Sequence, residues 1–123
     1  MHTVTLPALP DVTAPDGSDV RILCVTQRGS MAHFSLPQGS ASKAVRHRSV
    51  EEIWYIVSGN GQMWRFDGER EIITDLEPGL SLTIHPGTSF QFRSTGPGAL
   101  EAVAVTMPPW PGMDEAEIVD GKW

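Results

Sequence analysis

The sequence predicts an all-β domain, a sandwich or barrel of nine short strands, and three observations predict it. Turn signals recur every 7 to 12 residues through the middle of the chain, close to the regular spacing of small all-β folds. Twelve glycines and ten prolines leave little room for long helices, because both residues break them. The length of 123 residues is that of one ordinary domain. Such a chain keeps roughly 6,500 Å² of surface from about 19,000 Å² unfolded, enough burial for one core with a pocket in it.

Taken in order, residues 1–19 are rich in proline, aspartate and threonine and read as an extended arm, His2 included. An arm of this kind often pairs with a partner subunit's edge strand, which also covers an exposed edge, so a homodimer is expected. The barrel is expected over residues 20–106, beginning with Val20–Gln27, Met31–Leu36 and Ser42–His47. Glu52–Val57 follows and ends at Ser58-Gly59-Asn60-Gly61, an Asn-Gly hairpin signal that leads into Gln62–Phe66. Asp67-Gly68 has the same turn chemistry and leads into Glu71–Thr74. Pro78-Gly79 and Pro86-Gly87 carry the residue order of a type II turn and bracket Ser81–His85, after which comes Ser89–Arg93. Thr95-Gly96-Pro97-Gly98 breaks the chain before Leu100–Thr106. Residues 107–123 read as a tail that packs on the barrel through Trp110 and Trp123. Met113–Val119 is the sole helical candidate and is too short to stand alone.

Composition removes several function classes. Apolar residues make up 40% and charged residues 20%, which argues against a disordered chain. No apolar run approaches the ~20 residues that span a bilayer, and the start lacks the basic region and apolar core of a secretory signal, so a cytoplasmic protein is expected. The single cysteine, Cys24, excludes an internal disulfide and a cysteine zinc cluster; it lies in an apolar run and reads as a small core residue. The net charge of −6 comes from acids at the two ends, Asp11, Asp16 and Asp19 in one and Asp114, Glu115, Glu117 and Asp120 in the other. No basic stripe exists for a phosphate backbone to follow, so neither nucleic acid nor membrane is an expected partner.

Alternation along a strand decides which side chains share a face. Glu52-Ile53-Trp54-Tyr55-Ile56-Val57 is apolar on both faces after its first residue, so it is expected to be covered on both sides. Glu52 then lies at the end of the face that carries Trp54 and Ile56, while Glu51 points the other way and cannot form a carboxylate pair with it. A single carboxyl against apolar walls has its pKa raised. His47 lies five residues earlier, where a hairpin brings it opposite Glu52. Histidine and glutamate both bind metals, but zinc and iron sites normally take three or four protein groups.

These residues fall in a pattern. Gly39-x5-Val45-x-His47-x4-Glu52-x6-Gly59 resembles the first cupin motif, with valine in place of its first histidine. The second motif is weaker: its frame gives Gly79, His85, Gly87, Phe90 and Ser94, of which the two glycines match. The resemblance covers residues 31–106 and implies a double-stranded β-helix, the jelly-roll barrel of small single-domain cupins, with a pocket in one mouth. It also implies metal ligands at positions that here read Val45, His47, Glu52 and Phe90, two of which have no electron pair to donate. His85 and His33 are the candidates to complete a rearranged site for one divalent zinc, iron, nickel or manganese ion.

Three functions stay open at this point. The first is a binding barrel for a small organic ligand, a sugar or an organic acid, with His47 and Glu52 as polar anchors and Val45, Trp54, Trp64, Phe90 and Phe92 as apolar walls. Lys43, Arg46 and Arg48 form either a solvated rim or a cationic mouth that draws an anion. The second is a metal-dependent isomerase, lyase or dioxygenase holding its metal on His47, Glu52 and His85, or with Glu52 as the proton shuttle. The third is a ligand-free structural or regulatory dimer whose barrel is filled by its four tryptophans and four phenylalanines.

Overall fold

Local turn chemistry sets where the chain reverses. Glu77-Pro78-Gly79-Leu80 and His85-Pro86-Gly87-Thr88 both close with a backbone bond of 3.1 Å from the fourth amide to the first carbonyl, with φ of 93° at Gly79 and 81° at Gly87. Between such turns the computed structural model, which describes residues 1–123, has eleven strands. They are β1 (Val12–Thr13), β2 (Asp19–Val25), β3 (Ser30–Leu36), β4 (Val45–His47), β5 (Glu51–Ser58) and β6 (Gly61–Phe66). β7 (Glu71–Leu76), β8 (Ser81–Ile84), β9 (Ser89–Ser94), β10 (Leu100–Met107) and β11 (Ala116–Ile118) follow. One sheet has the order β1-β2-β3-β10-β5-β8 and the other β11-β4-β9-β6-β7, with antiparallel pairing throughout. No helix is long and apolar enough to cross a membrane.

The two sheets face each other as a jelly-roll barrel, and their inner faces share one core. Trp54, Ile56, Leu82, Ile84, Ala102 and Ala104 come from the first sheet and Val45, Met63, Leu76, Phe90 and Phe92 from the second, all buried. Along β5 every second residue points inward, which buries Glu52, Trp54 and Ile56. The expected cover on the other face of β5 is not there: Ile53, Tyr55 and Val57 are each 45–49% exposed. The arm lies elsewhere, over β2 and β3, where Arg21 binds the carbonyls of Pro7 and Ala8.

Two further expectations, on the Asn60-Gly61 hairpin and the Met113–Val119 helix, are corrected. Asn60-Gly61 does not make a hairpin, because β5 pairs with β10 and β8 while β6 pairs with β7 and β9. The turn carries the chain from one sheet to the other. Glycine is required there: a Cβ on Gly59, at φ 79°, would collide with the Ala99 carbonyl oxygen. Within the chain the arm pairs with β2, Val12 with Val20 and Thr13 with Asp19. Finally, Met113–Val119 is a single 3-10 turn, Met113–Glu115, followed by β11 on the free edge of β4. A helix would leave that edge unpaired and pull the Glu115 side chain away from the amides it holds.

Candidate functional site

The short strand β4 places Val45 and His47 inward and Arg46 outward, and β5 brings Glu52 and Trp54 to meet them. Around these groups lies a cavity of about 240 Å³ in one mouth of the barrel, lined by 22 residues of which 15 are hydrophobic. Phe34, Ala32, Ala104 and Phe90 supply apolar wall from β3, β10 and β9. The arm adds Val12 and Ala14–Asp16, and the tail adds Pro109, Trp110 and Met113. Trp110 is held by its amide, which donates to the Ser30 hydroxyl at 2.9 Å; that hydroxyl also bonds with Thr106.

The loop from β4 to β5 is fixed by a residue far away in sequence. The Glu115 carboxylate accepts the Ser49 amide at 2.6 Å, the Val50 amide at 2.7 Å and the Ser49 hydroxyl at 2.9 Å. Burial alone would raise its pKa, but these donors from Ser49 and Val50, with His47 nearby, hold it below the usual carboxylate value. Glu115→Ala is expected to leave those amides without partners and cost about 2 kcal/mol in urea unfolding. It should also loosen the spacing of His47 and Glu52, seen as a change in their titration.

His47 and Glu52 are 4% and 3% exposed, with Nδ1 of the histidine 3.7 Å from Oε1 of the carboxyl, too far for a hydrogen bond. Glu52 Oε2 accepts from the Trp54 indole N–H, whereas His47 Nδ1 is buried with no partner. The imidazole ring meets Phe90 and Trp110 edge-on at 5.1 and 5.2 Å. Burial pushes His47 down to about 4 against the opposing charge of Glu115. Burial pushes Glu52 up to about 7; the Trp54 bond works against this and the nearby charge of Asp16 adds to it. Asp16 is itself buried and raised, though Ser18 donates both its amide and its hydroxyl to Oδ1.

Five of the candidate pocket residues meet at this cavity: Val45, His47, Glu52, Trp54 and Phe90. Phe92 also points inward but lies behind Trp54, at 5.1 Å edge-on, and does not line the cavity. Trp64 is on the opposite face of β6. Its neighbour Met63 pairs with Phe92 in the core, so Trp64 pairs with Gln91 on the outside, where it donates to Glu71. His85 is likewise displaced by the pleat: Ile84 opposes Glu52 and turns inward, leaving His85 exposed on the outside beside Glu51. His33 lies on the outer face of β3, next to Glu101. Arg46 pairs with Glu117 at 2.8 Å and Arg48 donates to the Asp114 carbonyl, so both arginines meet the acidic tail, and Lys43 is exposed outside the cavity lining. The lining residues from the arm and tail, Asp16 above all, were missed by reading the barrel segment alone; Asp16-Gly17-Ser18 carried an Asx-turn signal that marks a bend but no site.

A two-sheet jelly roll with a cavity walled by His47 and Glu52 is the architecture of a cupin. Residues 32–106 match the Cupin domain family, and the chain belongs to that family. A search of curated proteins found no match. Among solved structures, an uncharacterized conserved protein with a double-stranded beta-helix domain from Klebsiella pneumoniae is similar at a TM-score of 0.75 and 16% identity, covering 98% of this chain and 99% of that one. KdgF from Halomonas sp. gives 0.66 and 19%, covering 77% and 82% of the two chains. Oxalate decarboxylase from Bacillus subtilis gives 0.75 and 15%, covering 83% of this chain and 28% of its own. At these identities the likeness is one of fold.

Cupins often bind a metal ion, and the donors here do not fit one. Val45 and Phe90, at two of the ligand positions that the resemblance implies, are direct cross-strand partners and together make an apolar wall. No three His, Cys, Asp or Glu side chains come together closely enough to hold one ion, and His85 faces away from the cavity.

Proposed function

We propose that this cupin is a binding barrel for a small organic molecule, held by its apolar part in the mouth cavity and oriented by His47 and Glu52. The observation that carries this is the cavity itself. It is an apolar space of about 240 Å³ with His47 and Glu52 as the polar groups of its inner wall. Native interiors fill such voids, and a ligand would fill this one. An engineered cavity of roughly 150 Å³ lined by apolar side chains already admits benzene.

The test is a thermal-shift screen of neutral aromatics, sugars and organic acids on the wild type and on Ala104→Trp, which fills the space from β10. A ligand present at 100 times its Kd stabilises by about 2.7 kcal/mol, so a hit should raise Tm by several degrees and lose that effect in Ala104→Trp. No hit in any class, with Ala104→Trp more stable than the wild type, would leave a ligand-free barrel with a packing void.

A further inference from the structure

We propose that the cavity selects apolar amines, with an ammonium head group against the Glu52 carboxyl and the hydrocarbon part on the aromatic walls. This rests on the barrel being a ligand site and names the class of ligand. The charge inventory points the same way from every side of the cavity. Its ionisable lining consists of Asp16, His47 and Glu52, with no lysine or arginine. The nearby arginines are engaged elsewhere, Arg46 with Glu117, Arg48 with the Asp114 carbonyl and Arg21 with the carbonyls of Pro7 and Ala8, and the exposed Lys43 does not line the cavity. A carboxylate or sugar acid would therefore enter beside two acids with no counter-charge.

Hydrogen-bond capacity agrees with charge. Trp54 uses only Oε2 of Glu52, and Ser18 uses only Oδ1 of Asp16, so each acid keeps an oxygen for a ligand. Glu52 Oε1 stands 3.7 Å from His47 Nδ1, beyond hydrogen-bond distance, and so has no protein donor. An ammonium carries three donors and no acceptor, so it can donate to these free carboxyl oxygens, while a carboxylate brings no donor. The walls add a second attraction, because Trp54, Phe34, Phe90 and Trp110 all line the same space and aromatic rings attract cations.

Calorimetric titration of the full chain with three probes that share a phenyl tail tests this at neutral pH: 2-phenylethylamine, 2-phenylethanol and 3-phenylpropanoate. The amine is expected to bind about ten-fold more tightly than the alcohol, with the carboxylate weakest. In Glu52→Gln and in Asp16→Asn the amine-to-alcohol ratio should fall towards one. The wild-type ranking and Asp16→Asn decide the matter if Glu52→Gln does not fold. A carboxylate that binds as well as the amine, or a ratio unchanged in the variants that fold, overturns the amine preference and leaves the cavity as a ligand site. Absence of binding by all three overturns the amine preference, and the ligand site itself then stands or falls with the wider screen above.

Discussion

Trp54→Ala is expected to lower stability by about 3–5 kcal/mol, a large part of the ~5–15 kcal/mol of a domain this size, and to lower Tm by about 12–20 °C. The residue is 1% exposed and joins the two sheets. Its ring stacks on Phe34 at 5.1 Å and meets Phe92 edge-on at 5.1 Å, so alanine leaves a void that spans the core and the wall of the cavity. Trp54→Phe separates packing from hydrogen bonding. It keeps most of the ring and removes the N–H that Glu52 Oε2 accepts, leaving a buried acceptor alone at a cost of about 1–3 kcal/mol. Because that bond is what opposes burial at Glu52, the carboxyl should rise above about 7 in Trp54→Phe. Urea melts and a carboxyl titration by NMR read the two effects. A neutral Trp54→Phe with an unmoved Glu52 would show that the bond neither holds the strand nor tunes the acid.

The strands and most turns were legible because their signals are local. Pro78-Gly79 and Pro86-Gly87 specify their turns whatever surrounds them, and Gly79 and Gly87 have the positive φ that the order implied. Pairing is not local, and there the sequence misleads. Asn60-Gly61 has hairpin chemistry, yet β5 and β6 each find better partners in separate sheets. The same holds for inside and outside. Alternation on β5 separates Glu52 from Glu51 without help, and the structure keeps them apart, one buried and one beside His85. On β6, however, Met63, Trp64 and Phe66 put apolar residues on both faces, and only the register with Phe92 decides that Met63 goes in and Trp64 out. Residue 64 is buried all the same, by the tail: Lys122 bonds to Glu71 beside it, and Trp123 lies under Arg93 on that outer face. The pair His47 and Glu52 was readable because only four residues and one loop separate them. Asp16 and Trp110 were not, because they reach the cavity from segments on either side of the barrel that carry no spacing rule.

Glu52→Gln and His47→Gln are expected to tilt the stability–pH curve in opposite directions. Glu52 is raised from 4.5 to about 7 in the folded chain, so between these values the folded state holds a proton that the unfolded state has released. Its contribution is full below pH 4.5 and is lost as pH rises towards 7. His47 is lowered from 6.5 to about 4, so between those values the unfolded state holds the extra proton. That contribution is present above pH 6.5 and is lost as pH falls towards 4. Each slope is about 1.4 kcal/mol per pH unit, and over most of the shared window they cancel. The wild type should accordingly show little slope from this pair between pH 4.5 and 6.5. With Glu52 neutralised, the histidine acts alone and stability climbs by about 3 kcal/mol across its window; with His47 replaced, stability falls with rising pH by a similar amount. Denaturant midpoints of the three proteins at half-unit pH steps give the slopes, and subtraction from the wild type removes the other titrating groups. Parallel curves for all three would mean that both groups titrate in the barrel as they do in the unfolded chain. That result would place water against them and take away burial, the cause on which both shifts depend.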